Sequence, residues 1–208
     1  MIQQDYISKS LSLLSIALLL FLSTFGADIM LKAVFIVTII LSSYYLSRNF
    51  GLHGEDADIT DVEFRESVKW SVFSLVTILI LNIFVPRLPL GIMQSASALT
   101  PDSQRIVIIQ LGLLIAVAEE QFFRAFGTGF LVEKFGAPAG VTLSGFVFGI
   151  YHSAVYAPPT GDWFSIFLSP SMIIVSGAGI ILALAAYRTQ RVSTTMSPHI
   201  LNNLLAAI

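Results

Sequence analysis

Ala116-Val117-Ala118-Glu119-Glu120-Gln121-Phe122-Phe123-Arg124 closes a run, 106–118, that is apolar except for Gln110. The run reads as membrane-embedded, so two carboxylates arrive deep inside a bilayer segment. A charge at the bilayer centre costs about 2.5–3.5 kcal/mol on insertion scales, and residues kept there are functional by default. On a helix Glu120 and Arg124 are i,i+4 neighbours, which lets the cation neutralise that carboxylate. Glu119 lies about 140° around the helix from Arg124, at ~100° per residue. It is the less compensated acid and the better candidate for proton chemistry. The plainer alternative is a buried ion pair with a spare acid that locks helix packing.

The rest of the chain agrees with a membrane setting. Its 208 residues are 55% hydrophobic and 12% charged, with mean hydropathy +0.83. A soluble domain carries about twice that charged fraction. Seven apolar segments, 10–25, 28–47, 67–85, 105–130, 140–156, 165–187 and 194–208, approach the ~20 residues that span a bilayer. The fold class is therefore an all-α polytopic membrane protein of about seven transmembrane helices, forming a single domain over 1–208. Net charge is −2 with no basic block, so nothing points to nucleic acid as a partner. With no cysteine, disulfides, thiolate nucleophiles, Cys-type zinc sites and lipidation of the chain are excluded.

Lys9 before the apolar stretch 11–22 resembles a signal peptide, but Ser23-Thr24-Phe25-Gly26-Ala27 is a poor cleavage site, so a retained first helix is expected. The linker 48–66 is rich in charge and reads as a solvated loop. Within it Thr60-Asp61-Val62-Glu63 is a capping box that starts the third helix. Trp70 and Trp163 stand near segment ends as interfacial anchors. Residues 86–100, with Pro86, Pro89 and Gly91, form a loop or interfacial piece. Thr100-Pro101-Asp102 starts the fourth helix, which is expected to end or bend at Gly127 and Gly129. Seven spans place Lys9, Arg48, Arg65, Lys69, Lys134, Arg188 and Arg191 on one side, and Lys32, Arg87 and Arg105 on the other. The first group marks the cytoplasmic side, giving a cytoplasmic N-terminus in the cell membrane.

Two further polar sites interrupt apolar segments. His152 follows Phe148 by one turn, and His199 and Asn203 share a helix face, whereas Asn202 points elsewhere. Taken singly, each is an ordinary core or interhelical hydrogen-bonding residue. Together they reach similar depth. Glu119 lies about 12–15 Å before the glycines, His152 about 15 Å inside a helix begun near Thr142, and His199 about 9 Å inside one begun near Ser193. A fifth helix begun at Pro138 would sink His152 to about 21 Å and spoil the match. An acid, two imidazoles and an amide make a hydrolase-like set. Glu119 can act as general base on water with one His as second acid/base group, and the other His and Asn can stabilise an oxyanion. The same set could hold a metal as a His₂Glu site, with Glu119, His152 and His199 as ligands of a zinc ion. No His-Glu-x-x-His run is present, so the soluble zinc-protease signature gives no support.

Glu119-Glu120-x-x-x-Arg124, Phe148-x-x-x-His152 and His199-x-x-x-Asn203 together resemble, in order, the three motifs of the CAAX prenyl protease type II and bacteriocin-processing (CPBP, or ABI) family. The resemblance covers about 105–208, so that 101–208 reads as the catalytic core and 1–100 as N-terminal support helices. It implies an intramembrane endopeptidase whose site lies between helices 4, 5 and 7 and opens to the cytoplasm. It assigns water activation to Glu119 assisted by His152, the oxyanion to His199 and Asn203, and site organisation to Glu120 and Arg124, with Phe148 beside them. No cofactor is required in that scheme, and a divalent metal such as zinc stays open. The partners implied are the lipid bilayer and a peptide or protein substrate, prenylated or bacteriocin-like. Phe122, Phe123, Phe126 and Phe130 are candidates for a lipid groove or for ordinary lipid contact. A helix begun at Pro198 would run only ~16 Å, so the seventh helix is expected to begin upstream near Ser193, or else another subunit or lipid covers that flank. Two other classes compete: a non-catalytic scaffold or self-immunity protein of the same fold, and a small proton-coupled transporter using the buried acids.

Overall fold

A computed structural model describes residues 34, 36–42, 60–84, 113–156 and 170–207, and every regular element among them is helical. Helix α1 is Asp61–Phe84, a π-helical segment runs over Glu120–Thr128, and α2 is Gly129–Phe135. Helices α3 (Ala137–Tyr156), α4 (Pro170–Thr189) and α5 (Ser193–Ala207) complete the core. The first predicted span, the loop 86–100, the start signal at 100–102 and Trp163 lie outside the described residues.

The capping box forms as read. Thr60 N–H donates to Glu63 Oε2 at 2.9 Å, and Glu63 N–H donates to Thr60 Oγ1 at 3.3 Å. Beyond it, α1 is inside-out relative to a helix of a soluble protein. Ser74 is buried while Val72, Phe73, Val76 and Ile80 are each about half exposed. Its buried face carries Ser74 and Ile78, and its outward face is apolar, as on a helix that meets lipid. Met172–Thr189, within α4, is the one helix among the described residues long and apolar enough to cross a bilayer by length and composition.

Helices α3 and α4 pack backbone to backbone. A Cβ at Gly145 would overlap the Ile180 backbone, and one at Gly149 would overlap Ser176 Oγ. As 145 pairs with 180 and 149 with 176, the two helices run antiparallel. The tight turn into α3 is made at Gly136, whose φ of 78° suits glycine. Its N–H caps α2 by donating to Val132 O at 2.9 Å. The turn from α4 to α5 uses Gln190 at φ 56°. The Ser71 hydroxyl of α1 meets Thr194 O at the start of α5 at 2.8 Å. Arg65, Lys69, Lys134, Arg188 and Arg191 therefore gather at one end of the described helices, the grouping expected of the more basic side.

The fourth helix, expected to end or bend at Gly127 and Gly129, does not end there: π geometry gives way to α geometry at Gly129 and the helix continues to Phe135. Glycine lowers helix propensity but does not forbid helix where burial holds the backbone, and Gly127 is buried. The fifth helix begins at Ala137, not near Thr142. Counting along the axes then puts His152 about 22 Å and His199 about 9 Å from their helix starts. Equal depth is not what brings the imidazoles together; helix crossing and side-chain reach do that. The seventh helix begins at Ser193, as expected.

Candidate active site

Glu119 sits at the threshold of the π segment and Glu120 is its first residue. A π-helix bonds each N–H to the carbonyl five residues back, and such wide turns recur at functional sites. Side chains reinforce this one. Thr128 Oγ1 donates to Phe123 O, five residues back, at 2.9 Å. Ser144 Oγ of α3 lies 2.8 Å from the Thr128 hydroxyl and 3.3 Å from the same carbonyl. His199 meets both carboxylates, at 2.8 Å from Glu120 Oε1 and 3.4 Å from Glu119 Oε2.

The two acids have different surroundings. Glu120 Oε1 accepts from His199 Nδ1–H at 2.8 Å, and Glu120 Oε2 accepts from Thr195 Oγ1–H at 2.5 Å. Arg124 Nε is 3.6 Å from the same Oε2, the i,i+4 neutralisation expected. The Arg124 guanidinium lies 4.1 Å from the Phe148 ring centroid and 5.8 Å from that of Phe123. None of its three nitrogens has a hydrogen-bond partner among the described residues, so charge and aromatic faces hold it. Phe148 is thus shared, its ring also 4.1 Å from that of His152.

Glu119 faces the imidazoles. Its Oε2 is 3.4 Å from His199 Nε2 and 3.7 Å from His152 Nε2. His152 Nδ1 lies 3.0 Å from Phe148 O. A carbonyl only accepts, so Nδ1 carries the proton and Nε2 presents a lone pair toward Glu119. His152 Nε2 and Glu119 Oε2 face each other at 3.7 Å. The Tyr151 side chain also lies near Glu119, and its ring stands edge-on to His152 at 5.0 Å. Glu119, Glu120, Arg124, His152 and His199 are all buried.

The structure therefore brings together Glu119, Glu120, Arg124, Phe148, His152 and His199 from three separate elements. Asn203 lies one turn beyond His199 on α5, half-buried, its Oδ1 accepting from Asn202 Nδ2 at 3.5 Å. Sequence reasoning missed Thr195, Tyr151, Thr128 and Ser144. Of these only Thr195 had a local signal, since 195, 199 and 203 share a helix face. The phenylalanines correct another reading: Phe122, Phe123, Phe126 and Phe130 are all at most 4% exposed. They fill the interior, with Ile36 and Ile39 against Phe122, Phe123 and Phe148, and line neither groove nor lipid. For zinc, no three His, Asp or Glu side chains among the described residues are arranged to hold a metal ion.

Residues 101–205 match the family model described as Type II CAAX prenyl endopeptidase Rce1-like. The chain belongs to this family. Its members are integral membrane proteins and generally proteases. The match spans every residue of the cluster and Asn203, whereas α1 stands outside it. No curated protein and no solved structure matches the chain.

Proposed function

We propose that the protein is an intramembrane endopeptidase that cleaves a membrane-associated or lipidated peptide with a water activated by Glu119 and His152. The observation that carries this reading is the asymmetry of the acid pair. Glu120 has both oxygens engaged by His199 and Thr195, whereas Glu119 Oε2 faces two imidazole nitrogens at 3.4 and 3.7 Å.

In the proposed reaction, water donates one hydrogen bond to Glu119 and one to the His152 Nε2 lone pair, and its oxygen attacks the scissile carbonyl carbon. Glu119 takes the water proton as the C–O bond forms. The carbonyl π electrons move to oxygen, and the oxyanion is held by His199 Nε2–H and Asn203. Glu120, accepting from Nδ1–H, supports the doubly protonated imidazolium that such donation requires. The proton held by Glu119 passes to the amide nitrogen, the C–N bond breaks, and an amine and a carboxylic acid leave. Two oxygens of water and substrate end on the acid, and no other reactant is consumed.

The test is purified wild type against Glu119→Gln with matched prenylated and unprenylated peptides, read by mass spectrometry. Wild type should cleave at one bond, and Glu119→Gln should lose at least about 10²-fold in kcat. Cleavage that survives Glu119→Gln would overturn the mechanism. Absence of cleavage of every peptide by wild type would favour a scaffold or self-immunity role. Metal analysis of the purified protein, with chelator treatment, tests zinc separately.

A further inference from the structure

Pro198 is buried inside α5, one residue before His199. A proline in a helix has no N–H for the carbonyl four residues back, which here belongs to Thr194. Thr194 is buried, so such a carbonyl calls for a protein donor. The structure shows a donor from elsewhere: Ser71 Oγ of α1 donates to Thr194 O at 2.8 Å, across 123 positions of sequence. The next residue, Thr195, donates to Glu120, and His199 a turn later donates to the same carboxylate. The first turn of α5 is thus pinned on one side by α1 and on the other by the acid pair.

We propose that Ser71 is a positioning residue for the site: by donating to the carbonyl that Pro198 leaves free, it sets the turn of α5 that aims Thr195 and His199 at Glu120. The functional part of this inference rests on the peptidase reading, while the hydrogen-bond part does not. It assigns to α1, which lies outside the family match, a direct share in the geometry of the site. Support by α1 is then specific. One hydroxyl, at one turn, compensates one proline.

The proposal predicts coupling between positions 71 and 198. Ser71→Ala, Pro198→Ala, the double variant and Ser71→Thr would be prepared in the full chain in detergent or nanodiscs. Three properties are read: Tm, the downfield proton resonance of the His199–Glu120 hydrogen bond, and kcat and KM on a cleaved peptide. Ser71→Ala should lower Tm, shift or broaden the His199 signal, and reduce kcat about tenfold with KM unchanged, the scale of one orphaned buried acceptor. Ser71→Thr keeps the hydroxyl and should restore all three. In the Pro198→Ala background the restored N–H serves Thr194 O, so Ser71→Ala should add little. Equal effects of Ser71→Ala in both backgrounds, or failure of threonine to rescue, would overturn the proposal. If wild type cleaves no peptide, the peptidase reading falls, while Tm and the histidine signal still decide the role of Ser71.

Discussion

Glu120 is the residue on which the site's order depends, and its partners differ in kind. Arg124 supplies charge at 3.6 Å without a hydrogen bond, whereas Thr195 and His199 supply directed hydrogens. Removing the Thr195 hydroxyl should therefore cost aim more than charge balance. Thr195→Val is expected to reduce kcat about tenfold, with Thr195→Ser near wild type, from the worth of one hydrogen bond to a charged group, about 1.5–3 kcal/mol. Steady-state kinetics on one peptide checks it. At the far end of α1, Glu63 gives a pH prediction with a definite sign. Hydrogen bonds from the Thr60 backbone N–H and then its hydroxyl hold this carboxyl below the usual carboxylate range. A lowered folded value means the folded state binds its proton less readily than the unfolded chain. The stabilisation is thus complete above the unfolded value, about 4.3, and fades as pH falls through the folded value. The Tm difference between wild type and Glu63→Gln should be level from pH 8 to pH 5 and shrink below that. A difference that grew on acidification would sink the assignment.

The π segment shows where reading from sequence stopped. Glu119, Glu120, Arg124, His152 and His199 were all legible as polar residues in apolar runs, because a bilayer makes such residues conspicuous. The capping box was legible because its signal is local, and the Ser193 start because a helix begun at Pro198 would be too short to span. The π turn was not, since nine residues cannot separate one helical period from another, and the hydroxyls that stabilise it come from positions 128 and 144. Nor was Tyr151 legible, as a tyrosine beside a histidine is unremarkable until Glu119 is seen to meet it. The prediction at this scale concerns register. Thr128→Val keeps the shape and removes the bond to Phe123 O, and Ser144→Ala removes its second donor. The double variant should relax the segment toward α geometry and rotate Glu119 and Glu120 apart. Its kcat should fall more than the product of the two single effects, while Tm drops by only a few degrees. A multiplicative loss would mean that the two hydroxyls act independently, without a shared register.

For the molecule as a whole, the distribution of polarity on α1 decides between two environments. Val72, Phe73, Val76 and Ile80 are turned outward at 48–55% exposure, while Ser74 is fully buried. In water this arrangement wastes apolar burial and leaves a hydroxyl inside; in lipid it is the natural one, because packing of small residues holds helices together. The two settings predict opposite responses to the same pair of substitutions. Val76→Arg puts a charge on the outer face, harmless in water but costing up to about 2.5–3.5 kcal/mol in the bilayer centre. Ser74→Leu makes the helix more apolar yet overpacks its inner face, at about 1–3 kcal/mol. Val76→Arg should therefore lower membrane insertion of the segment, measured by glycosylation mapping, and Ser74→Leu should leave insertion intact while lowering Tm of the purified protein. Normal insertion of Val76→Arg together with a raised Tm for Ser74→Leu would mean that α1 meets water and not lipid.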